Sequence, residues 1–290
     1  MVNFKHSNVN PKRFSIDQVK IYLIILPLAA FMILPIIFIV NHAFKPMNEL
    51  FAFPPRFFVI QPTIDNFQEL ARFTLTSRVP IGRYVFNSLL IVIAVVVSTV
   101  LISSMAGFAF SKIPFRGKKE LFEINTLAMM FVPVAVIIPR YLTIDTLGIL
   151  NTYFAHILPL LAMPVGMFLL KQFIDQVPDE LLEAAVIDGA GHSRIYFTII
   201  LPLIKPALAT IAILSFQVAW NNTETSMLFV SRESMRTLAF FMSTLAANTN
   251  VVAGQGMAAA ASLIMFLPNV VLFIILQSKV INTMAHSGLK

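Results

Sequence analysis

The sequence predicts an all-α membrane protein with six transmembrane helices, both termini inside, and a short cytoplasmic helix between the fourth and fifth spans. Of its 290 residues, 58% are hydrophobic and only 12% are charged, whereas soluble domains average about 45–50% apolar and about 25% charged residues. Several uncharged stretches are long enough to cross a bilayer, and one loop is acidic although the chain has a net charge of +7. So few charges cannot cover a water-facing surface, which excludes an ordinary soluble enzyme and a disordered chain.

The first uncharged stretch, residues 21–40, follows four basic residues and predicts a retained first span. A signal peptide has a similar basic start, but its apolar region is only about 7–15 residues long. Crossing about 30 Å of hydrocarbon takes roughly 20 helical residues, and five later stretches are close to that length or exceed it. These predicted spans are residues 84–111, 121–139, 153–170, 199–221 and 257–277.

Basic residues are denser in the segments that this order of spans places inside. The predicted inner segments hold 12 Lys or Arg in 70 residues, and the outer segments hold 8 in 91. Because cytoplasmic loops carry an excess of Lys and Arg, both termini are predicted inside. The chain then divides into a basic tail, first span and external loop at 1–83, a core of spans at 84–285 and a cytoplasmic tail at 286–290.

Residues 178–202, between the fourth and fifth spans, contain an unusual combination of proline, acidic residues and glycines. Pro178 is a good first helical residue because it has no N–H to lose, and acids on the first turns complement the helix dipole. We expect Gly189 and Gly191 to end this helix, since glycine enters left-handed conformations without a steric cost. Ser193 is expected to cap a second helix that leads into the fifth span.

The same region carries negative charge: segment 171–198 has two basic and five acidic residues. A helix that rests on the inner leaflet should be basic, because that surface is negative. Asp179 and Glu183, spaced i,i+4, also repel each other by about 0.2–0.5 kcal/mol. A cationic protein partner would offset the repulsion between the acids and would give the helix a favourable surface in place of the negative leaflet. The alternative is a solvated loop whose acids only complement the dipole, and the residues alone leave both interpretations open.

This loop resembles the EAA signature of the permease subunits of binding-protein-dependent ABC importers. Every fixed position is present at the right spacing, and Asn87-Ser88 and Trp220-Asn221 add weaker support. The resemblance covers about 84–285 for the common permease core. It covers essentially the whole chain for the smaller, maltose-transporter-type permease of carbohydrate uptake systems. The signature residues here are Glu183, Ala184, Ala185, Gly189, Ile199, Leu201 and Pro202.

The resemblance implies a subunit of an ATP-driven sugar importer that works by alternating access, with an oligosaccharide as the expected substrate. It implies that residues 183–189 form a coupling helix in a groove of a cytoplasmic ATPase. There Glu183 would pair with a basic residue, the alanines would allow close approach, and Gly189 would make the turn. The docking residues so implied are Glu183, Ala184, Ala185, Asp188, Gly189, Leu201 and Pro202, together with Gly288, Leu289 and Lys290 of the tail.

The implied partners are a second homologous permease, two copies of the ATPase, an external sugar-binding protein and the lipid bilayer of the bacterial inner membrane, with no nucleic acid. ATP and Mg would be bound by the ATPase, because the signature G-x-x-x-x-G-K-[ST] is absent from this sequence. We therefore expect no cofactor in this subunit and no enzymatic activity of its own. The sequence contains no cysteine, which excludes disulfides and Cys-ligated metal centres.

Polar residues in the predicted spans have both functional and packing interpretations. His156 is ionisable, and such groups within a membrane are often functional, but we favour a neutral imidazole hydrogen-bonded between helices. Trp220 could stack on a sugar ring beside amides that bond sugar hydroxyls, although we favour an interfacial aromatic belt with capping amides. Ser103 and Gly107 are interpreted as helix-packing residues. The candidate substrate-pathway residues are Asn87, Gln217, Trp220, Asn221 and Asn222.

An ion-coupled secondary transporter is the alternative function. Such proteins tend to have carboxylates within the membrane and repeated halves. In this sequence Glu123, Asp145 and Glu224 lie at the edges of predicted spans, and no half-repeat is apparent. The ABC importer is therefore the preferred interpretation.

Overall fold

The structure is a computed structural model that describes residues 16–76, 78–248 and 252–287 of the chain. The regular secondary structure of these residues is helical. No β-strand occurs within these ranges, so the all-α fold class is confirmed for them. Short 3₁₀ turns lie at Pro133–Val136 and Glu233–Met235, and a π-helical turn at Tyr196–Ile200. The α-helices are α1 (Ile16–Ala43), α2 (Met47–Leu50), α3 (Asp65–Thr76), α4 (Ile81–Lys112), α5 (Lys118–Ala128), α6 (Ile137–Thr146), α7 (Tyr153–Leu161), α8 (Pro164–Asp175), α9 (Asp179–Ile187), α10 (His192–Ile195), α11 (Leu201–Leu203), α12 (Lys205–Trp220), α13 (Glu224–Leu228), α14 (Leu238–Asn248) and α15 (Val252–Ser287).

The predicted first, second and sixth spans are continuous helices that are long and apolar enough to cross a membrane, at Ile21–Ala43, Ile81–Lys112 and Gly254–Gln277. The predicted third, fourth and fifth spans are different, because each is a pair of helices with a bend between them. The bends measure 108°, 45° and 81°. If each bent pair is one crossing, the described residues contain up to six crossings.

A proline lies at each bend. Pro133 opens the 3₁₀ turn between α5 and α6, Pro164 is the first residue of α8, and Pro206 is the second residue of α12. Proline donates no backbone hydrogen bond, and its ring clashes with the carbonyl of the preceding turn, so a helix breaks more readily at a proline than at other residues. Hydropathy located these segments correctly but could not show that each is broken.

Helix α4 separates two ends of the molecule. Its 32 residues make it about 48 Å long, since a helix rises about 1.5 Å per residue. Near its N-terminal end, Arg83 Nε donates to Ser234 O at 3.1 Å. At its C-terminal end, Lys112 Nζ lies 2.6 Å from Asp179 Oδ1. The loop that precedes α14 and the acidic helix α9 therefore lie at opposite ends of the bundle.

Two apolar clusters pack around α4. The cluster near its N-terminal end includes Tyr84, Trp220 of α12 and Phe241 of α14. The cluster near its C-terminal end includes Leu170 of α8 and Ile200 of the π turn. Helix α1 packs along α15 instead, and its apolar window is 0% buried, so its side chains are left to contact lipid.

The segment between α1 and α4 is more ordered than the simple external loop that the sequence predicted. The N–H groups of Ile60 and Gln61 donate to the Glu49 carboxylate at 2.9 and 2.8 Å. The hydrogen bond from Ile60 is the main reason why the pKa of Glu49 lies below its ordinary value. Asn66 of α3 donates to Ala43 O at 2.9 Å, which ties α3 to the end of α1.

Glycine allows α4 and α8 to pack closely. A Cβ added at Gly107 would lie 3.1 Å from Lys171 N and 3.2 Å from Leu170 Cβ, and one added at Gly166 would lie 3.2 Å from Ser103 Oγ. The Ser103 side chain is itself buried. These contacts confirm the packing interpretation of the small residues in the second span.

A leucine at Gly107 is expected to push α4 and α8 apart, because a Cβ there already meets backbone atoms of α8. Overpacking of this kind costs about 1–3 kcal/mol, so Gly107→Leu should lower the thermal unfolding temperature of the detergent-purified chain by several degrees. Gly82→Leu is the control, since nothing lies within 4 Å of a Cβ at Gly82. Equal unfolding temperatures for the two variants would contradict the packing role of Gly107.

Candidate functional site

The acidic helix α9 ends in a Schellman turn at Gly189. This glycine has φ of +79°, and its N–H donates to Val186 O at 2.9 Å while the N–H of Ala190 donates to Ala185 O at 2.9 Å. These two bonds satisfy carbonyls that the end of a helix leaves free. A left-handed residue is required at this point, and glycine adopts that conformation without strain. The predicted role of Gly189 in ending the helix is confirmed.

Three details of the predicted elbow need correction. Pro178 precedes α9 as its N-cap rather than being its first residue. Gly191 has φ of −75° and ψ of 166° and is the N-cap of α10, so it does not contribute a second left-handed turn. Ser193 lies within α10 instead of capping it. The reason is that Gly189 alone reverses the chain, after which Gly191 is extended, as the residue before a helix normally is.

A buried lysine connects α9 to the end of α4. Lys112 Nζ donates to Val177 O and to Asp179 Oδ1, both at 2.6 Å. The Lys112 side chain is 8% exposed and that of Asp179 is 73% exposed. Nearby, Ser111 Oγ donates to Asp175 Oδ1 at 2.6 Å. We call the two Lys112 contacts the α4–α9 clamp, because they hold the first turn of α9 at the C-terminal end of α4, whereas the Ser111 bond holds the end of α8 there.

The two alanines of the EAA signature face opposite ways. Ala185 is partly buried and packs with Leu182 and Ala190 against the apolar cluster of α8 and α10, whereas Ala184 is exposed. Glu183 is also exposed. One side of α9 therefore packs against the bundle, and the other presents an acid and a small residue to the surroundings.

The exposed side of α9 is both acidic and apolar. Ile187 is 85% exposed and Val186 is 58% exposed, and Asp188 beside them is exposed as well.

Further along the chain, Leu201 is partly buried against the cluster near the C-terminal end of α4, while Pro202 is exposed. The predicted docking residues of the loop thus lie at one end of the bundle. Gly288, Leu289 and Lys290 lie outside the described residues.

Tyr196 explains how the chain turns from α10 into α12. Its hydroxyl lies 2.6 Å from Ser104 Oγ of α4, and its ring lies 5.7 Å from that of Phe108. The π turn that begins at Tyr196 buries Ile200 completely. The elbow after α9 is therefore also packed against α4.

The candidate pathway residues separate into buried and exposed groups. Asn87 is fully buried; its amide donates to Ser234 O and Arg236 O at 2.9 Å and accepts from the Tyr153 hydroxyl at 2.8 Å. All of its polar atoms have protein partners, so in this conformation Asn87 joins α4 to the loop before α14.

Trp220 is likewise a core residue. It is 5% exposed, its Nε1 donates to Met265 O at 3.0 Å, and its ring stacks on Phe216 with centroids 5.8 Å apart. Neither a sugar-stacking role nor an interfacial belt fits this burial, because both require an exposed ring. The indole is covered by α15, a packing that the sequence did not reveal.

The other amides of this group are more accessible. Gln217 and Asn221 are exposed and Asn222 is partly buried. Asn221 pairs at 3.5 Å with Asn269 of α15, while Asn222 Oδ1 accepts from the N–H of Thr225 at 2.9 Å. The exposed amides of Gln217 and Asn221 are therefore accessible to a ligand, and the contact between Asn221 and Asn269 was not predicted from the sequence.

His156 is buried between helices. It is 0% exposed, its Nδ1 lies 2.8 Å from Thr225 Oγ1, and its Nε2 lies 3.2 Å from Met235 O. The interpretation of a hydrogen-bonded packing histidine is confirmed. Within the described ranges, no group of three or more His, Asp or Glu residues is arranged to hold a metal ion.

The sequence interpretation missed two ion pairs. Lys112 was counted only as a basic loop residue, although it joins α4 to α9. Arg140 Nη1 pairs with Glu224 Oε1 at 2.6 Å, which joins α6 to α13. Both pairs connect residues more than sixty positions apart, so no local pattern could reveal them.

Comparison with known proteins places this geometry in a transport family. Residues 99–278 match the family described as "Binding-protein-dependent transport system inner membrane component". The chain is 30% identical over 264 residues to the arabinooligosaccharides transport system permease protein AraQ of Halalkalibacterium halodurans, covering 89% of this chain and 91% of that one. It is 32% identical over 221 residues to the melibiose/raffinose/stachyose import permease protein MelC of Bacillus subtilis, covering 74% and 78%.

The fold also resembles a solved structure, that of a bacterial ABC transporter involved in the import of the acidic polysaccharide alginate. The TM-score is 0.78 with 19% sequence identity, covering 92% of this chain and 99% of the other. At that identity the likeness concerns the fold.

The family match spans more than half of the chain and includes α9 and its glycine turn. The chain therefore belongs to the family of binding-protein-dependent transport system inner membrane components.

Proposed function

We propose that the chain is a transmembrane subunit of an ATP-driven, binding-protein-dependent sugar importer, with oligosaccharides as its substrate class. The named relatives carry arabinooligosaccharides or melibiose, raffinose and stachyose. The resemblance to the alginate importer adds a similar fold. In the proposed assembly this chain pairs with a second homologous permease in the bacterial inner membrane. Two ATPase copies, which bind ATP and Mg, and an external sugar-binding protein complete it.

The exposed acidic side of α9 is the observation that carries this proposal. Glu183 is exposed, and the chain supplies it with no ion pair among the described residues. The α4–α9 clamp attaches its helix to α4, so a force on α9 reaches a helix about as long as the bilayer is thick. A basic ATPase groove would neutralise the acid and use that attachment to move the bundle.

Alternating access follows from the same connections. We infer six crossings with both termini inside, each bent pair counting as one crossing, so that α9 faces the cytoplasm. ATP-driven closure of the ATPase dimer would displace α9 and the elbow after it, and with them α4 and α12. The exposed amides of Gln217 and Asn221 and the partly buried amide of Asn269 lie towards the other end and are the proposed sugar contacts of this subunit.

Reversing the charge of Glu183 is expected to abolish coupled transport. Disrupting a buried interfacial charge pair costs about 2–5 kcal/mol, which exceeds tenfold in affinity, since each 1.4 kcal/mol is about tenfold. Glu183→Lys in the complex purified through a tag on this chain should bind less ATPase and lose ATP-driven uptake in proteoliposomes. Glu120→Lys makes the same charge change on exposed α5 at the same end and should retain uptake. Normal uptake by Glu183→Lys would refute the docking role.

Two glycines provide a matched test of the turn after α9. Gly189→Val forces a β-branched residue to φ of +79°, a strain of about 1–3 kcal/mol, while Gly191→Val occupies extended backbone. Nothing lies within 4 Å of a Cβ at either position. We expect faster amide exchange across residues 184–190 and reduced ATP-driven uptake for Gly189→Val only. Identical exchange in both variants would rule out a special requirement at Gly189.

The energy source separates the proposed importer from an ion-coupled transporter. With ATP held constant inside proteoliposomes, an uncoupler that dissipates ion gradients should leave sugar uptake by the assembled complex unchanged. Uptake should stop when ATP is replaced by a non-hydrolysable analogue. Collapse of uptake with the uncoupler alone would instead support the secondary transporter.

A further inference from the structure

A cavity of about 350 Å³ lies between α9 and the rest of the bundle. Its buried lining comes from Phe108 of α4 and Ile195 of α10, which are 5% and 2% exposed. Leu182, Val186 and Ile187 of α9 line the other side. The lining is therefore mainly apolar, and the cavity opens at the surface beside the exposed end of α9. A dry apolar cavity of about 150 Å³ is enough to hold benzene, so this one has room for a large side chain.

The cavity is bordered by one acid that lacks a partner. Glu183, Lys112 and His192 also line it, but Lys112 already donates to Val177 O and Asp179 Oδ1. Glu183 has no ion pair within the described part of the chain. An apolar cavity with one uncompensated carboxylate at its edge therefore fits a group that is apolar and has a cation beside it.

The surrounding charge identifies the class of occupant. Val186 and Ile187 are largely exposed, and exposed apolar surface rimmed by polar groups marks a site of interaction. Lipid is disfavoured, because the acids of α9 are repelled by the anionic surface of the inner leaflet. A protein surface with basic residues can cover the exposed apolar side chains and neutralise the acids of α9.

We propose that this cavity receives an apolar side chain of the cytoplasmic ATPase, next to a Lys or Arg of the ATPase that pairs with Glu183. The inference rests on the proposed function and adds that docking is reciprocal: α9 enters the ATPase and an ATPase side chain enters the permease. Because α4, α9 and α10 all line the cavity, the inserted side chain contacts the second span, the coupling helix and the start of the fifth span together. Motion of the ATPase then reaches all three.

Filling the cavity from within tests the proposal. In Val186→Trp the indole would occupy space that the ATPase side chain needs, so the dissociation constant of purified ATPase for the permease subunits in nanodiscs should rise about tenfold, as for a central interface residue. Leu121→Trp is the control, because Leu121 is 50% exposed on α5 at the same end and does not line the cavity. It should leave the dissociation constant unchanged.

A second measurement does not depend on how Val186→Trp folds. The chain contains no cysteine, so Val186→Cys and Leu121→Cys each introduce its sole thiol, which can be labelled with bimane before assembly. Adding ATPase should shift the emission of the Val186→Cys label to the blue and shield it from iodide. The label of Leu121→Cys should not respond.

The outcomes separate this inference from the proposed function. If Val186→Trp binds ATPase normally and the Val186→Cys label stays accessible to iodide, while Glu183→Lys loses binding, the cavity is not a docking site although α9 is. If Glu183→Lys also binds normally, the proposed function itself fails. Weakened binding by Val186→Trp together with shielding of the label, with both Leu121 controls unaffected, would support the insertion.

Discussion

The close packing of α4 against α8 at Gly107 is the constraint on which the placement of the acidic helix depends. Because Gly107 has no side chain, backbone and Cβ atoms of α8 come within about van der Waals distance of α4. Only three residues separate α8 from α9, so the position of α8 decides where α9 emerges. Lys112 then fixes the first turn of α9 through Val177 and Asp179. A rigid path thus runs from the middle of the bundle to the exposed acids.

Two of the polar residues buried within the bundle have all of their side-chain hydrogen bonds supplied by the chain. In an apolar surrounding an unpaired buried polar group is costly, and Asn87 and His156 accordingly have protein partners at every polar side-chain atom. Such residues join helices and are not free to bind a ligand. Glu183 and Asn221 are exposed instead. The two exposed side chains lie towards opposite ends of α4, where they are accessible to other molecules.

Much of the fold was predictable because hydropathy and local chemistry act over short distances. The apolar stretches were located, and Gly189 was identified as the end of α9, since a helix must stop where the backbone becomes left-handed. The prolines made bends in the predicted spans possible, but which spans bend and by what angle was not predicted, because proline allows an interruption without fixing its angle. Trp220 was misjudged for a related reason: an indole near the end of a span looks interfacial until its neighbour in α15 is known.

The sequence by itself determined that the chain is a helical membrane protein, that an acidic helix with a glycine stop lies between two apolar segments, and that this helix carries the EAA signature. Those features depend on composition and on residues within a few positions of one another. Only the tertiary structure decided which alanine of the signature faces outward, which lysine holds the helix, and that a cavity forms behind it. Each of these is a contact between segments far apart in the chain, set by how closely α4, α8 and α10 pack, and packing of that kind leaves no periodic trace in the sequence.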